Sequence, residues 1–186
     1  MTFILLAIFI IGILILMYNS LVAKKNQVDN ISASVDAILK KRYNLIPNLV
    51  SSVKEYMKHE REVLEKITTL RSKALNPSVT SEEKIQIDKE ISSVLKSILI
   101  AVENYPDLKA SENFMHLQRT LNETEEQISA ARRAYNQAAT DYNNAIEMFP
   151  TNIMASLMHY KRKSLFSIPE NEKENPNVKD LFNNEQ

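Results

Sequence analysis

Cysteine is absent from the 186 residues, which excludes disulfides, thiolate nucleophiles and Cys-ligated zinc or iron–sulfur centres. Glycine occurs once, at Gly12, inside an apolar N-terminal run. The rest of the chain therefore lacks the residue on which phosphate-cradling loops, dinucleotide fingerprints and sharp nucleophile elbows depend. Tight hairpins draw on the same residue, so an all-α chain is expected. Charge of one sign is also missing. The 23 basic and 23 acidic side chains cancel, which argues against a nucleic-acid partner bound through a basic face. The length allows one ordinary domain and small additions.

What the chain does have begins with a greasy segment. No charged side chain occurs from Met1 to Ala23, and Phe3 to Met17 is apolar apart from Gly12. Twenty-odd helical residues at about 1.5 Å each span the roughly 30 Å hydrocarbon layer of a bilayer. Tyr18 and Asn19 close the run at headgroup depth, and Lys24 and Lys25 follow at once. A cleaved signal peptide is the rival reading. It wants a positively charged start, which is missing, and a small-x-small cleavage site, of which Leu21-Val22-Ala23 is a poor version. An uncut single-pass anchor over residues 1–23 is the expectation, with the lipid bilayer as partner. No Lys or Arg precedes the run, whereas Lys24, Lys25, Lys40, Lys41 and Arg42 follow it. The positive-inside rule then puts a short N-terminus outside and the C-terminal domain in the cytoplasm.

Residues 24–166 read as a helical bundle. Apolar residues recur three or four apart from Val28 to Leu70, interrupted by Pro47. The proline ring clashes with the preceding turn and its missing N–H deletes one backbone bond, so a kink or restart is expected there. Asn44 could cap a new helix, but Lys41-Arg42-Tyr43-Asn44 is poor turn material, and the kink is favoured. Asn76-Pro77-Ser78 ends this element, and Thr80 three residues before Glu83 makes a capping box for a second helix that Pro106 stops. The third helix, from near Ser111, has the cleanest pattern: Phe114, Leu117, Leu121, Thr124, Ile128, Ala131, Tyr135, Ala138, Tyr142, Ala145 and Phe149, a heptad seam. Pro150 ends it, and a short helix follows over 153–160. The expected fold is an elongated antiparallel bundle: three long helices, the first kinked or broken at Pro47 to give four, plus the short C-terminal one. Residues 167–186 are rich in Asn, Glu, Lys and Pro and read as a flexible polar tail, with Val178, Leu181 and Phe182 as its sizeable apolar residues.

Catalytic and metal-binding motifs are incomplete in this sequence. His59-Glu60 begins like a zinc-protease helix motif, yet Val63 stands where the second histidine is needed. A di-iron bundle needs Glu three residues before His, and Tyr56, Asn113 and Ser156 occupy those places. No serine is placed on a sharp turn. No catalytic residue, metal ligand or cofactor is expected, and no enzyme. Lys161-Arg162-Lys163 reads as a solvated end or a lipid-headgroup contact. Two polar clusters interrupt the apolar pattern: Arg42, Tyr43 and Asn44 with Asn48 beside Pro47, and Glu125, Arg132, Arg133, Tyr135 and Asn136 on the third helix. One reading is a polar pocket or partner-binding strip between the first and third helices. The other, which carries more weight, is a set of interhelical salt bridges and side-chain bonds that fix register and satisfy the backbone freed by Pro47.

Several strings are familiar. Tyr18-Asn19-Ser20-Leu21-Val22, Lys41-Arg42-Tyr43-Asn44-Leu45-Ile46-Pro47-Asn48-Leu49-Val50, Val53-Lys54-Glu55-Tyr56, Glu112-Asn113-Phe114, Ala131-Arg132-Arg133-Ala134-Tyr135-Asn136, Tyr142-Asn143 and Phe149-Pro150-Thr151-Asn152 resemble the LemA family of bacterial membrane proteins. Two departures stand out: Asn44 where the family usually has Asp, and Ser156 and Met158 where it usually has a glycine or another small residue. The resemblance implies a single N-terminal transmembrane helix in a bacterial inner membrane, a helical bundle and no established enzymatic activity. It also points to membrane metalloproteases, whose genes often neighbour those of the family, and to magnetosome membranes, with which one branch is associated. The expectation is a membrane-anchored scaffold that presents a coiled-coil-like surface to itself, as a homo-oligomer, or to a membrane protein such as a protease. The alternative is a small-ligand sensing module built on the polar cluster.

Overall fold

The computed structural model describes residues 1–166, so Val178, Leu181, Phe182 and the expected tail lie outside the described residues. Six helices make up these residues: α1 (Thr2–Val53), α2 (Arg61–Ala74), α3 (Ser81–Val102), α4 (Pro106–Lys109), α5 (Glu112–Glu147) and α6 (Thr151–Leu157). Among the described residues there is no strand. The fold is all-α.

α1 is a single helix of 52 residues, about 78 Å at 1.5 Å per residue. Its first part is long and apolar enough to cross a membrane, and the side chains there are bare of protein, Phe3 at 85% exposure and Leu16 at 70%. From Leu21 the helix changes character. Leu21, Val28, Val35, Leu39, Tyr43, Ile46, Leu49 and Val53 are buried at steps of seven, four and three, the seam of a helix packed on neighbours. No linker separates the two parts.

Pro47 lies inside this helix without breaking it, so of the two expectations, a kink or a break, the less favoured one falls. A proline at 47 leaves the carbonyl of Tyr43 without its helical partner. The Nε–H of Arg71, on α2, donates to that carbonyl at 2.8 Å. A side chain from another helix thus replaces the missing backbone donor, and α1 runs on to Val53. The chain turns instead over residues 54–60, where neither glycine nor proline occurs. Met57 plugs the end of the core at this turn, and the Tyr105 hydroxyl donates to both carboxylate oxygens of Glu60 at 2.9 Å. The Arg71–Tyr43 contact also shows α2 running back antiparallel to α1.

Thr80 and Glu83 form the capping box of α3: the Glu83 amide donates to Oγ1 of Thr80 at 3.3 Å, and the Thr80 amide to the Glu83 carboxylate at 2.9 Å. Proline 106 ends no long helix directly, because α3 stops at Val102, but it opens the one-turn α4 at a position where its N–H is not needed. α5 then returns along α1. Phe114, Leu117, Leu121, Thr124, Ile128, Ala138 and Tyr142 of the heptad seam are buried, with Ala131 and Tyr135 half-buried. Phe149 departs from the seam. α5 ends at Glu147, Met148 turns extended, and Phe149 lies 79% exposed.

One large core joins α1, α2, α3 and α5, from Val35 to Ile128. A second and smaller one, Val28 with Ala138, Ala139 and Tyr142, lies nearer the apolar end of α1. Burying a side chain the size of Ile98 or Ile128 contributes about 1.5–3 kcal/mol. The bundle is therefore held by its seams rather than by helix propensity.

Candidate functional site

Three helices converge on one buried carboxylate. Asp88 of α3 has no solvent exposure, and its two oxygens are ion-paired with Arg42 of α1 and Arg132 of α5. Arg42 is itself 1% exposed. Its guanidinium also donates to Glu125 of α5 at 2.5 Å, to the Ser92 hydroxyl at 2.9 Å and to the Asp88 carbonyl at 3.4 Å. Two cations and two anions balance. Burial lowers the Arg42 pKa below its ordinary value, and the Glu125 carboxylate offsets part of that shift. Burial raises the neighbouring Tyr43 hydroxyl above its ordinary value.

Beside the cluster lies a cavity of about 360 Å³ whose walls include Asp36, Lys84, Asp88, Arg132, Tyr135 and Phe166. Its lid is the non-helical segment 160–166, which runs along α5. Two asparagines clip that segment down. The side-chain amide of Asn136 donates to the Phe166 carbonyl at 2.9 Å and accepts from the Phe166 amide at 2.8 Å. Asn143 repeats the pattern with Lys163, at 2.9 and 2.8 Å. The two asparagines are seven apart, hence two turns along one helix face, about 10 Å, which matches three extended residues from Lys163 to Phe166. The Phe166 ring meets Tyr135 edge-on at 4.9 Å and lies 5.6 Å from the Arg132 guanidinium carbon.

Of the residues singled out from the sequence, Arg42, Glu125 and Arg132 meet around Asp88, while Tyr135 and Asn136 hold the segment beside it. Asn44 and Asn48 are exposed on α1 away from the cluster, and Arg133 faces outward, donating to Ser129 on its own helix at 3.4 Å. Asp88, Ser92 and Asn143 escaped the sequence reading as cluster members. The signal for Asp88 was present: it falls three residues before Ile91 in the series Ile91, Leu95, Ile98 and Val102, a charge at a core position. Among the described residues no group of three His, Asp or Glu side chains is placed to hold a metal ion.

This geometry can be set against known proteins. The sequence profile of the LemA family matches residues 31–179, and a Protein LemA from Metamycoplasma hominis is 31% identical over 97% of this chain and 84% of its own length. The chain belongs to the LemA family. Two further relatives are a Magnetosome protein MamQ 2 of Paramagnetospirillum magneticum, 22% identical over 84% of this chain, and a Magnetosome protein MamQ of Magnetospirillum gryphiswaldense, 20% identical over 82%. The chain spans about two thirds of the length of these MamQ proteins, 66% and 65%. The LemA match takes in Arg42, Asp88, Arg132 and both clip asparagines, so the cluster and the clip lie inside the family's extent.

Proposed function

We propose that this LemA protein is a non-enzymatic scaffold, anchored by the first part of α1 and holding its bundle at the face of a bacterial inner membrane. The observation that carries this reading is the continuity of α1 from Thr2 to Val53. A helix that leaves the bilayer without a linker carries the bundle's orientation with it. Such a bundle stands as a rigid post whose long helical flanks are held close to other membrane proteins, and confinement of this kind raises effective concentration enough for weak contacts to suffice. Lys24, Lys25, Lys40 and Lys41 favour the bundle on the cytoplasmic side. The partner is a second copy of the chain or a membrane protein, of which a membrane protease is one case. Cross-linking of the intact protein in native membranes tests this. Discrete higher-mass products are expected, and a strictly monomeric chain with no cross-linked partner would overturn it.

One observation favours a second reading, ligand sensing: the cavity beside Arg132 has both charges and an aromatic wall under a peptide lid. A small molecule there would act on the 160–166 segment and through it on α1. Thermal shift against a panel of small carboxylates and amines tests it. A shift that Arg132→Ala abolishes while the domain stays folded supports sensing; no shift from any compound leaves the cluster structural.

A further inference from the structure

The corner between α5 and α6 lies where the bundle meets the apolar part of α1. Arg42 faces Glu125, and Val28 packs with Ala138, Ala139 and Tyr142, so α5 runs back along α1 in a fixed antiparallel register. Carried down both helices, that register brings Glu147 level with the stretch from Asn19 to Ala23, where the uncharged run of α1 ends. Met17 is half-buried and Leu21 fully buried, so protein still covers α1 at this height, and α6 packs on both α1 and α5 with Ala155 buried.

The other side of the corner is uncovered and apolar. Met148, Phe149, Ile153 and Leu157 are exposed by 63, 79, 58 and 72%. Ile153 and Leu157, four apart, share one face of α6. Cations follow in the chain at both edges of this region: Lys24 and Lys25 after the uncharged run of α1, and Lys161, Arg162 and Lys163 after α6, with Arg162 paired at 2.8 Å to Glu147 beside Met148. Lys163 reaches Asp29 at 3.1 Å, which ties this basic segment to α1 just above the uncharged run. An apolar face edged by Lys and Arg is the pattern of an element that lies in a bilayer interface.

We propose that the α5–α6 corner is a second membrane contact, with Phe149, Ile153 and Leu157 seated in the interfacial layer of the leaflet from which α1 emerges. The inference rests on the reading of α1 as a membrane span. Its occupant is lipid rather than a second copy, because the patch abuts the end of the span, where lipid is already in place and a protein would have to displace it. The corner makes the anchor two-point, and two points fix the tilt of the bundle where one would let it swing.

The chain has no cysteine, so single nitroxide labels can be placed without background. Full-length Phe149→Cys and Leu157→Cys are reconstituted in phosphatidylcholine–phosphatidylglycerol vesicles. Collision with oxygen and with a water-soluble nickel chelate is then compared by power saturation. Ile10→Cys reports the span, and Ile100→Cys the far end of the bundle. The oxygen-to-nickel ratio at Phe149 and Leu157 is expected to exceed that at Ile100 severalfold, at a depth of about 5–10 Å, short of Ile10. Ratios equal to Ile100 with Ile10 still deep would overturn the second contact alone. A nickel-accessible Ile10 would overturn the span, and the corner's role with it. Labels shielded from both reagents would mean that protein covers the patch, which also contradicts the proposal.

Discussion

Arg42 and Asp88 lie 46 residues apart and are both sealed from solvent, yet they form an ion pair at the centre of the bundle. Removing one member of such a pair leaves the other charge stranded, at a cost of about 3–5 kcal/mol. Asp88→Asn is therefore expected to destabilise the bundle by about that amount in urea unfolding. Glu125 is half exposed, so water can replace it. Glu125→Gln is expected to cost about 1 kcal/mol or less. Equal losses for the two variants would contradict the ranking.

Pro47 and Arg71 make a second testable pair. If the Arg71 side chain stands in for the backbone donor that Pro47 lacks, Arg71→Ala exposes a carbonyl with no partner and costs about 1–2 kcal/mol. In a Pro47→Ala background the new N–H bonds the Tyr43 carbonyl itself, and the loss from Arg71→Ala should shrink by more than half. A double-mutant cycle measures the coupling. Additive losses would mean that Arg71 contributes only packing.

These two pairs mark what the sequence could and could not yield. The seam from Phe114 to Tyr142 was legible because a step of three and four tolerates few alternatives, and the Thr80–Glu83 box because its partners are local. The course of α1 past Pro47 was half legible: poor turn material favoured a helix that carries on, but the donor that lets it do so is a side chain 28 positions from Tyr43, on another helix. The turn at residues 54–60 carries no turn residue; Met57 and the Tyr105–Glu60 bond hold it, and both are tertiary. Arg42, Glu125 and Arg132 stood out as charges in apolar surroundings. Asp88, which joins two of them, is likewise a charge at a core position, three residues before Ile91, but its two partners are 46 and 44 residues away on other helices.

The asparagine clip predicts local effects. Asn143→Ala removes two hydrogen bonds and should free the Lys163 amide, raising its hydrogen exchange sharply while α5 amides stay protected. Asn136→Ala should do the same at Phe166. Asn136→Asp retains the acceptor for the Phe166 N–H and loses only the donor, so it should fall between native and alanine. Unchanged exchange in the alanine variants would show that the segment is held by Phe166 packing alone.

Acid should loosen the same segment at Lys163, whose side chain bonds Asp29. The hydrogen bond from Lys163 holds the Asp29 carboxyl below its ordinary value. A carboxyl lowered in the folded state gives stability that is present above the ordinary carboxylate range and lost as pH falls through the folded value. The Lys163 contact is thus intact at neutral pH and lost only at strongly acidic pH. An Asp29 titration followed by NMR is expected below that of an unpaired aspartate, and Lys163→Met should return it upward. A midpoint unmoved by Lys163→Met would contradict the pairing.

The central claim is that one rod runs from the bilayer into the bundle. Phe9 and Gln27 are five helical turns apart on one face of α1, about 27 Å at 1.5 Å per residue. Spin labels at Phe9→Cys and Gln27→Cys of the full chain in lipid bilayers measure that separation by pulsed dipolar spectroscopy. A single narrow distribution near that length is predicted. A broad or clearly shorter one would mean that anchor and bundle move independently, and would contradict the account.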